Sequence, residues 1–580
     1  MRWAPLVLFG PAIAWGLVVG AGATATLSRA SSWRAVALDD VAFVGDARCR
    51  ECHLERWQSW HRSYHRTMTQ PAANVAAPFA GETLATAGFV ATMDRDREGR
   101  PHVRIVDGGG VAIVDANVEL AVGSHRYQQY VARIGAVGEL WRLPVAWHIG
   151  ESRWIHMGSA FLEPDPAEGD ADEYLRHLSR YNDNCIFCHN TDPVPGLGDD
   201  GQWHSSVAQW GIACEACHGP ADAHVQRHRD PLRRVLAMAG RDGSIVDVGE
   251  LAVDRGSEVC GRCHGQRIGH DIAKVLRDGD GFVPGTPLAE VSRPIFRAST
   301  VGDEALFAAR FWPDDTPRLS AHEYQALVLS PCWNEGQGMG CAHCHDMHGD
   351  EPAMQLRSDW DPQNTCTSCH GGLARDHGGH GDAIDCTSCH MPRTTYGLLQ
   401  GMISHRITSP DPGARADVPD ACTQCHVDRT RRWAAESMAS LGLRGHATTH
   451  ESAREAWGSR IVLDLVGGDP IQRALAADAL ARPHVPADAE QRMSWLVEAL
   501  VDDYGAVRWM AWRAAKRLAH ELDDAALTHD LTAFDPAAPT DVRLAAWRSL
   551  RERLGPAPFS ADQQLALEAA RDASAIVIGE

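Results

Sequence analysis

Apolar and polar positions follow different rules in different stretches of this chain. Behind Arg2, an uncharged run from Trp3 to Ser28 contains small residues that offer Ala-x-Ala cleavage at Ala21-Gly-Ala23 and Ala23-Thr-Ala25. That is the form of a secretory signal, expected over residues 1–25, with retention as an uncleaved anchor as the alternative. Further on, Phe89-Val-Ala-Thr-Met93, His102-Val-Arg-Ile-Val106 and Val111-Ala-Ile-Val114 are β-prone runs separated by Gly and Asp clusters. They predict a small antiparallel β lobe over residues 85–165. Residues 170–435 predict only short helices and loops. Over residues 450–575 Ala, Leu, Arg and Trp dominate, and Arg473-Ala-Leu-Ala476, Arg508-Trp-Met-Ala511 and Arg543-Leu-Ala-Ala546 recur at one fixed interval, each just after a turn-rich start. A fixed period of amphipathic helices predicts a C-terminal α-solenoid, HEAT-like first and tetratricopeptide-like second, serving as a docking surface or as a cap over the preceding segment.

Cysteine spacing changes this picture most. Sixteen of the 17 cysteines fall in eight copies of Cys-x-x-Cys-His. These are Cys49-x-x-Cys52-His53, Cys185-x-x-Cys188-His189, Cys214-x-x-Cys217-His218 and Cys260-x-x-Cys263-His264, followed by Cys341-x-x-Cys344-His345, Cys366-x-x-Cys369-His370, Cys386-x-x-Cys389-His390 and Cys422-x-x-Cys425-His426. In this motif two thiols add to the haem vinyl groups and the adjacent His ligates the iron. A zinc site, a redox dithiol or a disulfide needs no trailing His, and none predicts it eight times. The expected cofactor is therefore eight covalently bound haem c groups, with iron. The first motif, in residues 27–80, is followed by a Trp-rich tail and is expected to stand apart beside the β lobe. The other seven crowd into residues 170–435, where the haems themselves must form the core. The fold class predicted is a multihaem cytochrome c, haem-cored with mostly short α-helices and loops, with a small β lobe and the C-terminal solenoid.

Whether such a chain is a carrier or an enzyme depends on the second face of each iron. A second His saturates the iron and suits it to electron transfer, whereas an open face binds a small molecule. Eight of the 30 histidines belong to the motifs. Among the rest, His65, His224, His348, His380 and His405 sit in structured contexts near a motif, as does His377, while His125, His156, His270 and His322 are weaker. Met68, Met347 and Met391 are minor alternatives, and Cys332 is the one thiol outside the motifs. Walker, GxSxG and HExxH patterns are absent from the sequence, as is a GxGxxG following a strand.

Net charge is −21. It argues against nucleic acid or an anionic membrane as partner and fits either basic redox partners or simple solubility.

Several stretches together, Phe43-Val-Gly-x-x-x-Cys49 to Trp60-x-x-Ser-x-His65, Gly211-Ile-Ala-Cys-Glu-Ala-Cys-His-Gly-Pro220, Phe311-Trp-Pro-Asp, Cys341-x-x-Cys-His-Asp-x-His-Gly349, Cys386-x-x-Cys-His-Met-Pro392 and Asp420-Ala-Cys to Trp433, resemble secreted bacterial multihaem cytochromes of the cytochrome c-554/c-prime-like superfamily over residues 43–435. The resemblance implies bis-histidine electron transfer in the periplasm or at the cell surface. It supports His65, His224, His348, His380 and His405 as second ligands and suits a helical-repeat C-terminus. The expected function is electron carriage through a stacked haem array between redox proteins or a respiratory complex. The rivals are a reductase or oxidase of a small nitrogen or sulfur compound (nitrite, hydroxylamine, tetrathionate) at one five-coordinate haem, and a structural subunit of a cytochrome filament or respiratory complex.

Overall fold

The computed structural model describes residues 42–86, 88–135, 139–165, 178–238, 242–336, 338–373, 377–414, 417–446, 453–572 and 576. The expected signal over residues 1–25 lies outside the described residues. Among the described residues no helix is long and apolar enough to cross a membrane.

Nine strands form one antiparallel sheet: β1 (Thr69–Pro71), β2 (Glu82–Ala85), β3 (Phe89–Arg95), β4 (Pro101–Asp107), β5 (Ala112–Val122), β6 (Tyr127–Arg133), β7 (Leu140–His148), β8 (Arg153–His156) and β9 (Ser179–Arg180). Strands β2 to β8 follow one another in order, β1 adds to β5 and β9 adds to β7. Period-two burial drives the pairing: Phe89, Ala91 and Met93 of β3 and Val103 and Ile105 of β4 all turn inward. β5 pairs with β4 through its first half and with β6 through its second, and the register shifts at Val118–Leu120. Such an irregularity bends a strand and raises its twist. The sheet therefore curls until β2 meets β8. Phe79, Tyr130, Trp147 and Trp154 fill the interior, with Phe79 edge-on to Tyr130 and to Trp154 at 5.1 Å each.

This sheet overturns the predicted fold class. In place of a small β lobe beside a core of mostly short helices and loops, the chain builds a nearly closed nine-stranded sheet running from Thr69 to Arg180. Its two edge additions come from segments read as cytochrome. Three- and two-residue strands are too short to show an apolar period, and they exist only because a neighbouring strand supplies hydrogen-bond partners.

From Cys185 to His426 the elements are short. Two-stranded ribbons are β10 (Asn190–Val194) with β11 (Ser206–Trp210), β12 (Arg267–Gly269) with β13 (Ser292–Pro294), and β14 (Thr395–Gly397) with β15 (Gln400–Met402). Apolar clusters here are small: Val259, Phe282 and Leu288; Ile295, Phe307 and Phe311; Tyr324, Leu327 and Trp333.

The C-terminal part is helical: α1 (Arg460–Gly467), α2 (Pro470–Leu480), α3 (Ala489–Leu496), α4 (Gly505–Glu521), α5 (Ala525–Ala533), α6 (Thr540–Leu554) and α7 (Ala561–Glu568). Side-chain caps start most of them. Asp469 closes a capping box with Gln472 ahead of Pro470 at α2, and Ser560 does so with Gln563 at α7. The evenly spaced arginines share one task. Arg473 pairs with Asp502 at 2.8 Å, both about 1% exposed, and bonds the Gly468 carbonyl. Arg508 bonds the Asp502 carbonyl and Asp165, and Arg543 bonds the Ala538 carbonyl and the same Asp165. Each guanidinium ties a helix start to the loop before it. These helices do not stand alone. Their core runs without a break into Ile155 of β8 and into Met157 and Leu162 just beyond it, through Trp312 and Tyr396. Tyr396 donates to the Ala160 carbonyl at 2.7 Å, and Trp312 to that of Thr394 at 2.9 Å.

Candidate haem sites

Each Cys-x-x-Cys-His motif closes one helical turn. The His N–H donates to the first Cys carbonyl, at 2.8 Å for His53 and His426 and 2.9 Å for His264. That turn brings residues i, i+3 and i+4 to one side, so both thiols and the imidazole face together. Three motif imidazoles are also held from behind. Nδ1 of His218, His345 and His390 lies 2.8, 2.9 and 3.1 Å from the carbonyls of Val246, Met354 and Thr408. Donation from Nδ1 leaves Nε2 as the ligating nitrogen, a common arrangement at metal sites.

Six motif histidines face a second imidazole. Ring centres are 6.2 Å apart for His53 and His224, 6.2 Å for His264 and His65, and 6.1 Å for His218 and His348. They are 6.4 Å apart for His345 and His405, 6.0 Å for His390 and His377, and 6.0 Å for His426 and His380. Such rings are too far apart to touch. A metal–imidazole bond of about 2 Å on each side, with each ring nitrogen about 1 Å from its ring centre, separates two centres by about 6 Å. The residues present thus fit an iron held between each pair. All five histidines singled out in the sequence, His65, His224, His348, His380 and His405, stand opposite a motif histidine, and His377 does so as well. His189 is half-buried and His370 exposed. Neither has a histidine ring opposite it among the described residues. The weaker candidates have other work. His125 stacks on Tyr64 at 4.2 Å, His156 packs edge-on to Phe89, and His270 and His322 bond the Ala289 and Ser320 carbonyls.

Thiols of different motifs meet. A hydrogen bond from Cys214 pulls the Cys49 thiol down, and Cys188 pulls Cys263 down to about 6. Cys260 pulls Cys341 down to about 7. Cys366 is pushed up to about 11, by burial first and then by Cys386 and Cys344. Burial raises Cys217 to about 11 with Cys263 next to it, and raises Cys389 with Cys425 next to it. The attachment points therefore run first, third, fourth, fifth, sixth, seventh, eighth, with the second joined at the fourth. Two expectations fall. The first motif is not held apart: buried Glu215, in the third motif, accepts the backbone N–H groups of Val44, Gly45 and Ala221 and docks one motif on the other. The second motif, not the first, lies on the sheet. Ile186, Cys185 and Phe187 pack with the outward-facing Leu120, Val122 and Val131.

Sequence reasoning missed the groups behind the facing histidines. Asp242 accepts from His224 Nδ1 at 2.9 Å and from His228 Nε2 at 2.5 Å, and Arg227 lies 3.2 Å away. Burial would raise its carboxyl, but donors from His224, Ser244 and His228 hold it well below the usual range. Glu323 lies 3.8 Å from Nδ1 of His264. Only the fold brings Asp242 to His224; the sequence signal is limited to the His224-x-x-x-His228 spacing of one helical face.

No family model matches the chain. It is 23% identical over 249 residues to the multiheme cytochrome MtrA of Shewanella baltica, a match covering 40% of this chain and 66% of that protein, just under two thirds of its length. Among solved structures it is similar to the outer cell wall cytochrome OcwA, with a TM-score of 0.45, 17% identity, and coverage of 83% of this chain and 99% of the other. Against the octaheme sulfite reductase MccA of Wolinella succinogenes the TM-score is 0.24 at 13% identity, covering 85% and 84%. The similarity to MtrA supports a multihaem c-type cytochrome with covalently bound haem.

Proposed function

We propose that the chain carries electrons through an array of eight haem c groups, seven in a row and one joined at the fourth motif, between redox partners in the periplasm or at the cell surface. The observation that carries this reading is the set of six facing imidazole pairs at 6.0–6.4 Å. Bound haem supplies reversible one-electron chemistry at iron and, with imidazole on both faces, offers no open coordination position. The chain's residues do the rest. Motif thiols anchor, the paired imidazoles His53–His224, His264–His65, His218–His348, His345–His405, His390–His377 and His426–His380 close both faces, and contacts between motifs keep neighbouring anchors side by side. Carbonyls of Val246, Met354 and Thr408, with Asp242, fix the ring orientations. A haem-to-polypeptide ratio from the pyridine haemochrome spectrum should give eight. Low-temperature electron paramagnetic resonance should show mainly low-spin ferric signals, and a mainly high-spin spectrum would defeat the carrier reading.

A second reading rests on His189 and His370, which lack a facing histidine among the described residues. An open face at either would allow reduction of a small nitrogen or sulfur compound. Carbon monoxide added to the reduced protein separates the two: a bound fraction matching one or two haems favours the reductase, and no binding favours the pure carrier.

A further inference from the structure

Away from the motif turns, arginines gather where the β14–β15 hairpin, the sheet and the C-terminal helices meet. Arg393 follows the seventh motif and donates Nη1 to the Gly401 carbonyl at 2.9 Å. Gly401 lies against Asp478, whose Oδ2 a Cβ at that position would meet at 2.8 Å. Asp478 pairs with Arg482 at 3.0 Å and with Arg517 at 3.4 Å. Arg482 also donates to Gln424, inside the eighth motif, at 2.7 Å. From the other side Arg513 donates to Glu151, to the Leu399 carbonyl at 3.2 Å and to the Tyr127 hydroxyl at 3.3 Å. Arg126, beside Tyr127, is close enough to act on Arg393 electrostatically, as Arg482 does.

Five arginines thus share two carboxylates, Glu151 and Asp478, in a chain of net charge −21. Several donors in the group are unmatched. Nη2 of Arg513 is buried with no hydrogen-bond partner, Arg393 bonds a neutral carbonyl, and the guanidinium of Arg126 has no ion pair or hydrogen bond among the described residues, although its backbone carbonyl accepts from the Ile149 N–H. Arg393, Arg482 and Arg513 are half-buried, with Arg126 and Arg517 at the exposed rim. Guanidinium groups held this close repel one another and lose hydration unless anions meet them, and carboxylates accept their paired N–H groups two at a time.

We infer that this cluster is a carboxylate-binding site and that, resting on the function proposed above, its ligand is the propionate pair of an adjacent haem. The same chemistry would accept a free oxyanion from solvent, so the test separates the two sources. Potentiometric titration of the full-length, haem-loaded protein is followed in the visible spectrum for the wild type, Arg393→Gln and Arg393→Lys, with and without added inorganic phosphate. Removing a positive charge beside a haem favours the ferric state. Arg393→Gln should therefore shift a single component to lower potential, Arg393→Lys should restore most of the shift, and phosphate should change nothing. If Arg393→Gln does not fold, Arg126→Gln at the exposed rim should give a smaller shift of the same sign. Unchanged potentials at full haem content overturn the site. A phosphate-dependent shift in the wild type overturns the propionate assignment and gives the site to a free oxyanion. Absence of haem from the wild type strikes the proposed function instead.

Discussion

The curled sheet and the motif-bearing stretch that follows it are built on opposite principles. Between Thr69 and Arg180 the chain buries its own side chains: Phe89, Met93, Ile105, Tyr130 and Trp154 close an interior that needs nothing else. Between Cys185 and His426 the stretch's own buried apolar clusters hold three residues each, while Trp312, Leu319, Tyr396, Leu399 and Val418 join the core of the C-terminal helices, and thiols and imidazoles are gathered at close range. A fully buried large apolar side chain contributes about 1.5–3 kcal/mol. The sheet collects many such contributions and the motif stretch few. Segments with so little apolar core of their own usually need a metal, a cofactor or covalent links to stay folded. The lesson is that one half of this chain carries its core in its side chains and the other half is shaped around what it binds.

The largest expected effect comes from withholding haem. Made without haem attachment, the chain should lose protease resistance over residues 185–430 while the sheet and helices α1–α7 stay protected, as limited proteolysis with mass spectrometry would show. Equal protection throughout would break the contrast. Next comes Arg473→Ala, which strands Asp502 in the core. It should destabilise the helices by about 3–5 kcal/mol, read as a lower denaturation midpoint. Ile105→Ala inside the sheet should cost about 2–5 kcal/mol by leaving a cavity, with little change in the haem spectrum. Glu215→Gln, which weakens the acceptor for Val44 and Gly45, should cost about 1–3 kcal/mol and loosen the first motif from the third, seen as faster amide exchange at residues 43–53. Smallest in free energy, Asp242→Asn should leave stability nearly unchanged but raise the midpoint potential of one haem component, since His224 loses an anionic partner.

Some of this architecture can be read without coordinates. Cys-x-x-Cys-His is a local device: one helical turn sets where two thiols and an imidazole point, so spacing alone carries the attachment chemistry. The inward faces of β3 and β4 are equally local, because Phe89, Ala91 and Met93 alternate. Strands β1 and β9 escape such reading, since two or three residues cannot display a period. Closure of β2 against β8 depends on the twist accumulated around β5. The facing imidazoles lie between these extremes. His65, His224, His348, His380 and His405 stand out as candidates in sequence, but nothing local says that His65 meets His264 or that His405 meets His345. Asp242 gave no signal of its role.

What the sequence by itself determined is therefore the chemistry available at each point: where thiols and imidazoles occur together, where apolar residues alternate, and where arginines recur at helix starts. Tertiary structure alone decided partnership: which histidine faces which, that the second motif and not the first lies on the sheet, and that Arg126, Arg393 and Arg513 converge. The physical reason is range. Helical turns and strand alternation are fixed by neighbours a few residues away, whereas pairing across hundreds of residues is set by how curled sheet, docked loops and shared core pack together.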